Sequence, residues 1–281
     1  MSNQTELHRC LSCGLVARDR IMTPDERKQR YSDSSYFFKS TTPIEGLFGY
    51  NDYLRYRDIH MFLCTVRLDE IEEYIEPGKL LDIGCGPGVL LDSARARGWD
   101  ISGLDISSYA VEIAQAYYNI SIVEGEFVEA AFPDDHFDVV TMDDYLEHTT
   151  NPREVIVEAA RIIKSGGLLA ISTPNPSGIS ARLMGRSWFH YKQEEHFYFF
   201  SRKSLRRILE ELDFEILTIH RSPRIVDLQF IAMRLGYYSS FMKRLLLGIG
   251  RGLIRSRIAF PIYTGEVRVI ARKRDRAGLS A

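Results

Sequence analysis

The run Leu80–Gly88, LLDIGCGPG, constrains this chain more than any other segment. An apolar strand-like stretch ends in three glycines spaced by single residues. Glycine has no Cβ, so Gly84, Gly86 and Gly88 can take positive φ and let a ligand press against main chain. A second short apolar run, Gly103–Ser107 (GLDIS), places Asp105 21 positions after Gly84. A strand, glycine turn and helix followed by an acid about 20 residues on is the arrangement that holds a ribose beside a glycine loop. The glycine spacing then selects the ligand. A dinucleotide fingerprint needs glycine at its first, third and sixth positions, and the sixth here is Val89.

The rest of the chain alternates strand and helix patterns. Strands are expected at 79–83, 99–104, 120–123, 137–142, 168–173, 214–220 and 266–273, from short apolar runs bounded by turn residues. Helices are expected at 51–75, 88–97 and 107–118, the last capped by Ser107. Asn151-Pro152-Arg153-Glu154 opens another helix, with a cap, a proline at the first helical position and a glutamate reaching back. Gly166-Gly167 is expected to end that helix, and Ser201 caps a further one. This order predicts an α/β, Rossmann-like fold: a seven-stranded, mostly parallel sheet with helices on both faces. Residues 1–50 read as an irregular N-terminal extension, and 51–281 as one domain carrying inserted segments near the C-terminus.

The 38 acids and 36 bases nearly cancel, which removes the electrostatic case for a nucleic-acid partner. No apolar run reaches 18 residues and the N-terminus is polar, so a cytoplasmic protein is expected. The four cysteines do not suggest a disulfide framework.

The register Asp82-x-Gly84-x-Gly86-x-Gly88 resembles motif I of the class I S-adenosyl-L-methionine (SAM)-dependent methyltransferases. The segments 137–152 (FDVVTMDDYLEHTTNP) and 162–176 (IIKSGGLLAISTPNP) are similar to later motifs of that family. Segment 188–201 (WFHYKQEEHFYFFS) resembles a lid-like stretch of a bacterial small-molecule subgroup, placed at 177–200, and 10–15 and 31–38 also fit that subgroup. The resemblance implies SAM as cofactor, with Asp82, Gly84, Cys85, Gly86 and Gly88 at its methionine and ribose side. Asp105 follows at the ribose and Glu126 and Phe127 at adenine, with Ile106 and Met142 also among the cofactor-binding residues. Glu126 would accept from the adenine amino group, and Phe127 would offer its main-chain N–H or its ring.

A hydroxyl acceptor needs a base to remove its proton, and an imidazole with an unperturbed pKa near about 6.5 suits that step. His148 is the first candidate and His196 the second, with Asp144 and Glu147 assisting. Asp144-x-x-Glu147-His148 resembles the Glu-x-x-Glu-His cluster of ubiquinone-pathway O-methyltransferases, one methylene shorter at Asp144. A divalent cation on those groups is the secondary reading, and base chemistry without a metal the primary one. The expected partner is a small-molecule acceptor, methylated at oxygen rather than at carbon or nitrogen. The alternatives are a non-catalytic SAM-binding regulator and a nicotinamide-dependent oxidoreductase.

Three further features stand apart. Cys10-x-x-Cys13 with His8 has the spacing of half a zinc knuckle, read as a vestige that survives as a reduced turn. Tyr53 and Arg57 sit one turn apart before the glycine strand, where an arginine can pair with the SAM carboxylate. Residues 228–265 hold no acid and six bases. Within the insertion at 222–262, the stretch 239–258 has the profile of an amphipathic helix. It would pack on the domain, or lie on an anionic inner-membrane face and meet a lipid-linked acceptor.

Overall fold

The computed structural model describes residues 6–32, 57–192, 195–227 and 259–275. Its centre is β3 (Lys79–Ile83), an apolar strand buried on both faces. Strands β4 (Asp100–Asp105), β5 (Val123–Glu124), β6 (Phe137–Asp143) and β7 (Ile163–Pro174) run parallel with it. Strands β9 (Phe214–Asp227) and β10 (Ala259–Lys273) complete a seven-stranded sheet in the order β5-β4-β3-β6-β7-β10-β9. β10 is antiparallel to both its neighbours. The order reverses at β3, so the crevice at the carboxyl ends of β3, β4 and β6 is where such a sheet takes a ligand.

Strand alternation divides the core. Leu80, Val139, Leu168, Ala170 and Ile270 face α2 (Arg57–Glu72) and α3 (Val89–Arg95). Leu81, Val140, Met142, Leu169, Ile171 and Val269 face α5 (Pro152–Ile162) and α7 (Arg202–Glu211); α4 (Ser108–Ile113) and α6 (Ile179–Met184) are shorter. Ser107, Asn151 and Ser201 each accept the main-chain N–H three residues on, as capping residues do. Gly166-Gly167 lies inside β7 instead of closing the helix: α5 ends at Ile162 and the chain turns straight into strand.

The described part of the extension, residues 6–32, is not irregular. β1 (Leu7–Arg9) and β2 (Val16–Arg18) form a hairpin whose second strand pairs with β8 (Tyr198–Phe199), making a separate three-stranded sheet. Helix α1 (Pro24–Ser32) follows, started by a reciprocal capping box: Thr23 Oγ1 accepts from the Glu26 N–H, and Glu26 Oε2 accepts from the Thr23 N–H. Cys10 and Cys13 are free thiols at the hairpin turn.

The ends of the expected insertion are paired strand, since 222–227 and 259–262 extend the β9–β10 ladder. The amphipathic stretch 239–258 and Tyr53 lie outside the described residues, and Arg57 is the first residue of α2. Among the described residues, no helix is long and apolar enough to cross a membrane.

Candidate active site

The glycine turn after β3 is main chain turned outward. Gly84, Gly86 and Gly88 all have positive φ, at 71°, 50° and 83°. A Cβ built on Gly86 would meet nothing within 4 Å, so that face is open crevice. One built on Gly84 would lie 2.7 Å from Cδ2 of Tyr145, so the segment after β6 rests directly on the glycine turn. Asp105, at the end of β4, accepts the Gly86 N–H on Oδ2 at 2.8 Å and the Ser107 N–H on Oδ1 at 2.9 Å. Each carboxylate oxygen offers about two acceptor positions, so one on each remains for a ribose hydroxyl. Gly125 donates to the Asp105 carbonyl at 3.0 Å, which brings Glu126 alongside.

Asp82 lies deeper. Burial pushes its carboxyl up to about 7, against the hydrogen bond donated by Thr141 Oγ1 at 2.6 Å. Cys85, Phe127 and Met142 turn their side chains into the core, leaving only main chain for a cofactor. The expectation that the Phe127 ring meets adenine is therefore corrected: the ring is fully buried and packs near Phe132. Ile106 is half-buried just past Asp105.

The residues expected on the acceptor side gather around the short turn Leu146–His148. Glu147 is fully buried; its Oε2 accepts from Thr173 Oγ1 at 2.9 Å, while Oε1 has no hydrogen-bond partner among the described residues. Burial and the charge of Asp144 push the Glu147 carboxyl well up. His148 Nδ1 lies 3.0 Å from the Glu195 carbonyl and 3.0 Å from the Tyr31 hydroxyl. A carbonyl only accepts, so Nδ1 carries the hydrogen and Nε2 keeps its lone pair. Burial lowers the His148 pKa, opposed by the charges of Glu195 and Asp144. The His196 ring stands edge-on to His148 at 4.6 Å and is stacked with His190 at 5.7 Å.

Glu147, His148 and His196 each offer a ligand atom within 4.8 Å of the others, the one such group among the described residues. The expected cation set is corrected in one member: His196 joins the group and Asp144 stays outside it. Cys10, Cys13 and His8 form no such group among the described residues.

Sequence reasoning missed the part played by the extension. Arg18 is nearly buried and donates from Nε to the His196 carbonyl at 2.7 Å and from a terminal nitrogen to the Tyr191 carbonyl at 2.8 Å. Arg27 and Tyr31, one turn apart on α1, reach Glu126 and His148. The Thr23-Pro24-Asp25-Glu26 start was the available signal for α1. Also unforeseen is the ion cluster at the end of β6, where Asp143 lies between Arg67 and Arg268, at 3.1 and 2.9 Å.

Comparison with known proteins bears on the family and the fold. The methyltransferase domain family matches residues 52–219, more than half of the chain. Two relatives are ubiquinone biosynthesis O-methyltransferases. The one from Nitrosomonas europaea is 36% identical over 114 residues, covering 38% of this chain and 48% of the relative. The one from Thiobacillus denitrificans is 36% identical over 104 residues, covering 34% and 44%. The chain spans less than half the length of these curated relatives. In fold it is similar to a SAM-dependent methyltransferase from Archaeoglobus fulgidus, with a TM-score of 0.54 at 21% identity, covering 79% of this chain and 99% of that one. The chain belongs to the methyltransferase domain family. SAM is the cofactor class that goes with this family and fold.

Proposed function

We propose that the chain transfers a methyl group from SAM to an oxygen of a small-molecule acceptor. The observation that carries this reading is His148. The Glu195 carbonyl holds its tautomer, burial keeps it neutral, and it lies three residues from Tyr145, whose ring rests on the glycine turn. An in-line displacement at the sulfonium needs the acceptor aligned and its proton taken as the bond forms. In this reading His148 Nε2 takes the proton, Asp105 binds the ribose hydroxyls and Glu126 accepts from the adenine amino group. The two O-methyltransferases among the relatives support oxygen over carbon or nitrogen. A peripheral contact with a lipid-linked acceptor through 239–258 belongs to the same reading.

The direct experiment offers SAM and a panel of phenols, catechols and sugar alcohols, and reads release of S-adenosylhomocysteine. Turnover with a hydroxyl compound is expected. Binding of SAM without turnover on any acceptor would favour the regulator, and binding of NADH in its place the oxidoreductase.

The same three groups also suit a divalent cation. Glu147 Oε1 is a buried oxygen without a hydrogen-bond partner among the described residues, and Glu147, His148 and His196 each offer a ligand atom within 4.8 Å of the others. Two nitrogens and one oxygen favour zinc, iron or manganese over magnesium. Bound there, a cation would polarise an acceptor oxygen and ease loss of its proton. EDTA treatment separates the readings: unchanged turnover leaves His148 acting alone, and a loss restored by manganese or zinc assigns the cation.

A further inference from the structure

Two buried arginines of the extension do different things. Arg18 satisfies main-chain carbonyls of the roof. Arg27 is 4% exposed, its Nε has no hydrogen-bond partner among the described residues, and a terminal nitrogen lies 3.2 Å from Glu126 Oε1. Burying a guanidinium without an opposite charge is strongly unfavourable, so its place beside Glu126 is electrostatic in origin. The capping box at Thr23 and the strand pairing of β2 with β8 hold α1 over the crevice, and so fix where Arg27 emerges.

We propose that Arg27 is a positioning residue of the cofactor site, fixing the Glu126 carboxylate as the acceptor for the adenine amino group. This rests on the reading of Glu126 as the adenine ligand. Among the described residues, the groups facing Glu126 are Arg27 from α1, Glu129 from its own turn and Tyr145 from the segment after β6. Burial and Glu129 push the Glu126 carboxyl up, and the guanidinium draws it back. Without Arg27 the carboxyl takes a proton at higher pH. A carboxylate accepts a charge-assisted hydrogen bond from an amino group; a protonated acid loses that strength and gains a donor. The inosine analogue of S-adenosylhomocysteine carries a carbonyl oxygen in place of the amino group. A carboxylate repels that oxygen, and a carboxylic acid can donate to it. The state of Glu126 is therefore readable as a preference between two ligands.

The experiment is calorimetric titration of the full chain with S-adenosylhomocysteine and with S-inosylhomocysteine, at pH 6 and pH 8. The unaltered protein is expected to prefer the adenine ligand by about tenfold to a hundredfold at both pH values. Arg27→Gln is expected to lose most of that preference, more at pH 6 than at pH 8. Arg27→Lys, which keeps the charge, is expected to retain it at both. Glu126→Gln is expected to lose it without a pH dependence, and serves if Arg27→Gln does not fold. An Arg27→Gln or Glu126→Gln protein with the full preference at both pH values would overturn the proposal. An unaltered protein that binds neither ligand would instead overturn the methyl-donor reading beneath it.

Discussion

The floor and the roof of the crevice contrast in how far apart their parts lie along the chain. On the floor, the glycine turn and Asp105 span 21 positions and are joined by hydrogen bonds donated by main-chain N–H groups: Gly86 to the Asp105 carboxylate, Gly84 and Cys85 to the Leu104 carbonyl. On the roof, side chains join residues 117 positions apart at Tyr31 and His148, and 178 apart at Arg18 and His196. The floor is the carboxyl end of interior strands β3 and β4 and forms with the sheet. The roof forms only when the N-terminal hairpin, α1 and residues 188–192 and 195–200 meet, so its contacts at His148 and His196 can be cut without dismantling the glycine turn and Asp105. Binding of the methyl donor and handling of the acceptor are therefore expected to separate on mutation of Asp105 and His148, whereas Arg27 of α1, proposed to hold Glu126, links the roof to the floor.

The strongest break should come at His148. Replacing it by alanine should lower kcat by about a hundredfold to ten-thousandfold, the usual weight of a general base, with S-adenosylhomocysteine affinity within twofold. If affinity falls as much as kcat, the floor and roof are not separate. The pH profile sharpens the same point. Burial lowers the His148 pKa, and the base must be neutral. Turnover should therefore be flat at neutral and alkaline pH, and fall as pH drops through a value below about 6.5.

Asp105→Ala is the matching test of the floor. It removes two acceptor positions for the ribose and two anchors of the turn. S-adenosylhomocysteine affinity should fall by about 3 kcal/mol, on the order of a hundredfold, read by calorimetry. Unchanged affinity would misplace the ribose. The smallest effect is expected at Arg18→Met, which leaves the Tyr191 and His196 carbonyls without their donor. Stability in a denaturant titration should drop by about 1–3 kcal/mol and the acceptor KM should rise, with cofactor affinity kept. Lost cofactor affinity there would mean that the roof also shapes the floor.

The sheet was legible because its signals are local. Each expected strand has a counterpart, and the caps at Ser107, Asn151 and Ser201 sit where their side-chain chemistry puts them. The errors also have local causes. Gly166 takes φ 77° within β7, a kink that read as a helix stop. Met142 is expected at the cofactor site; its side chain shares the core face of β6 with Val140, as the two-residue period requires, which leaves its main chain for that role. The small sheet escaped notice because its strands hold two or three residues, too few for a periodic signal, and β8 lies about 180 positions from β2.

By itself the sequence determined the α/β framework, the open glycine turn and the acid that anchors it. Glycine spacing, strand period and capping residues act over a few neighbours and need no partner from elsewhere. Only the tertiary structure decided that Arg27 stands beside Glu126, that Tyr31 and Glu195 converge on His148, and that His196 replaces Asp144 in the buried group. Those pairings depend on how separate elements pack over the sheet, and no spacing along the chain encodes them.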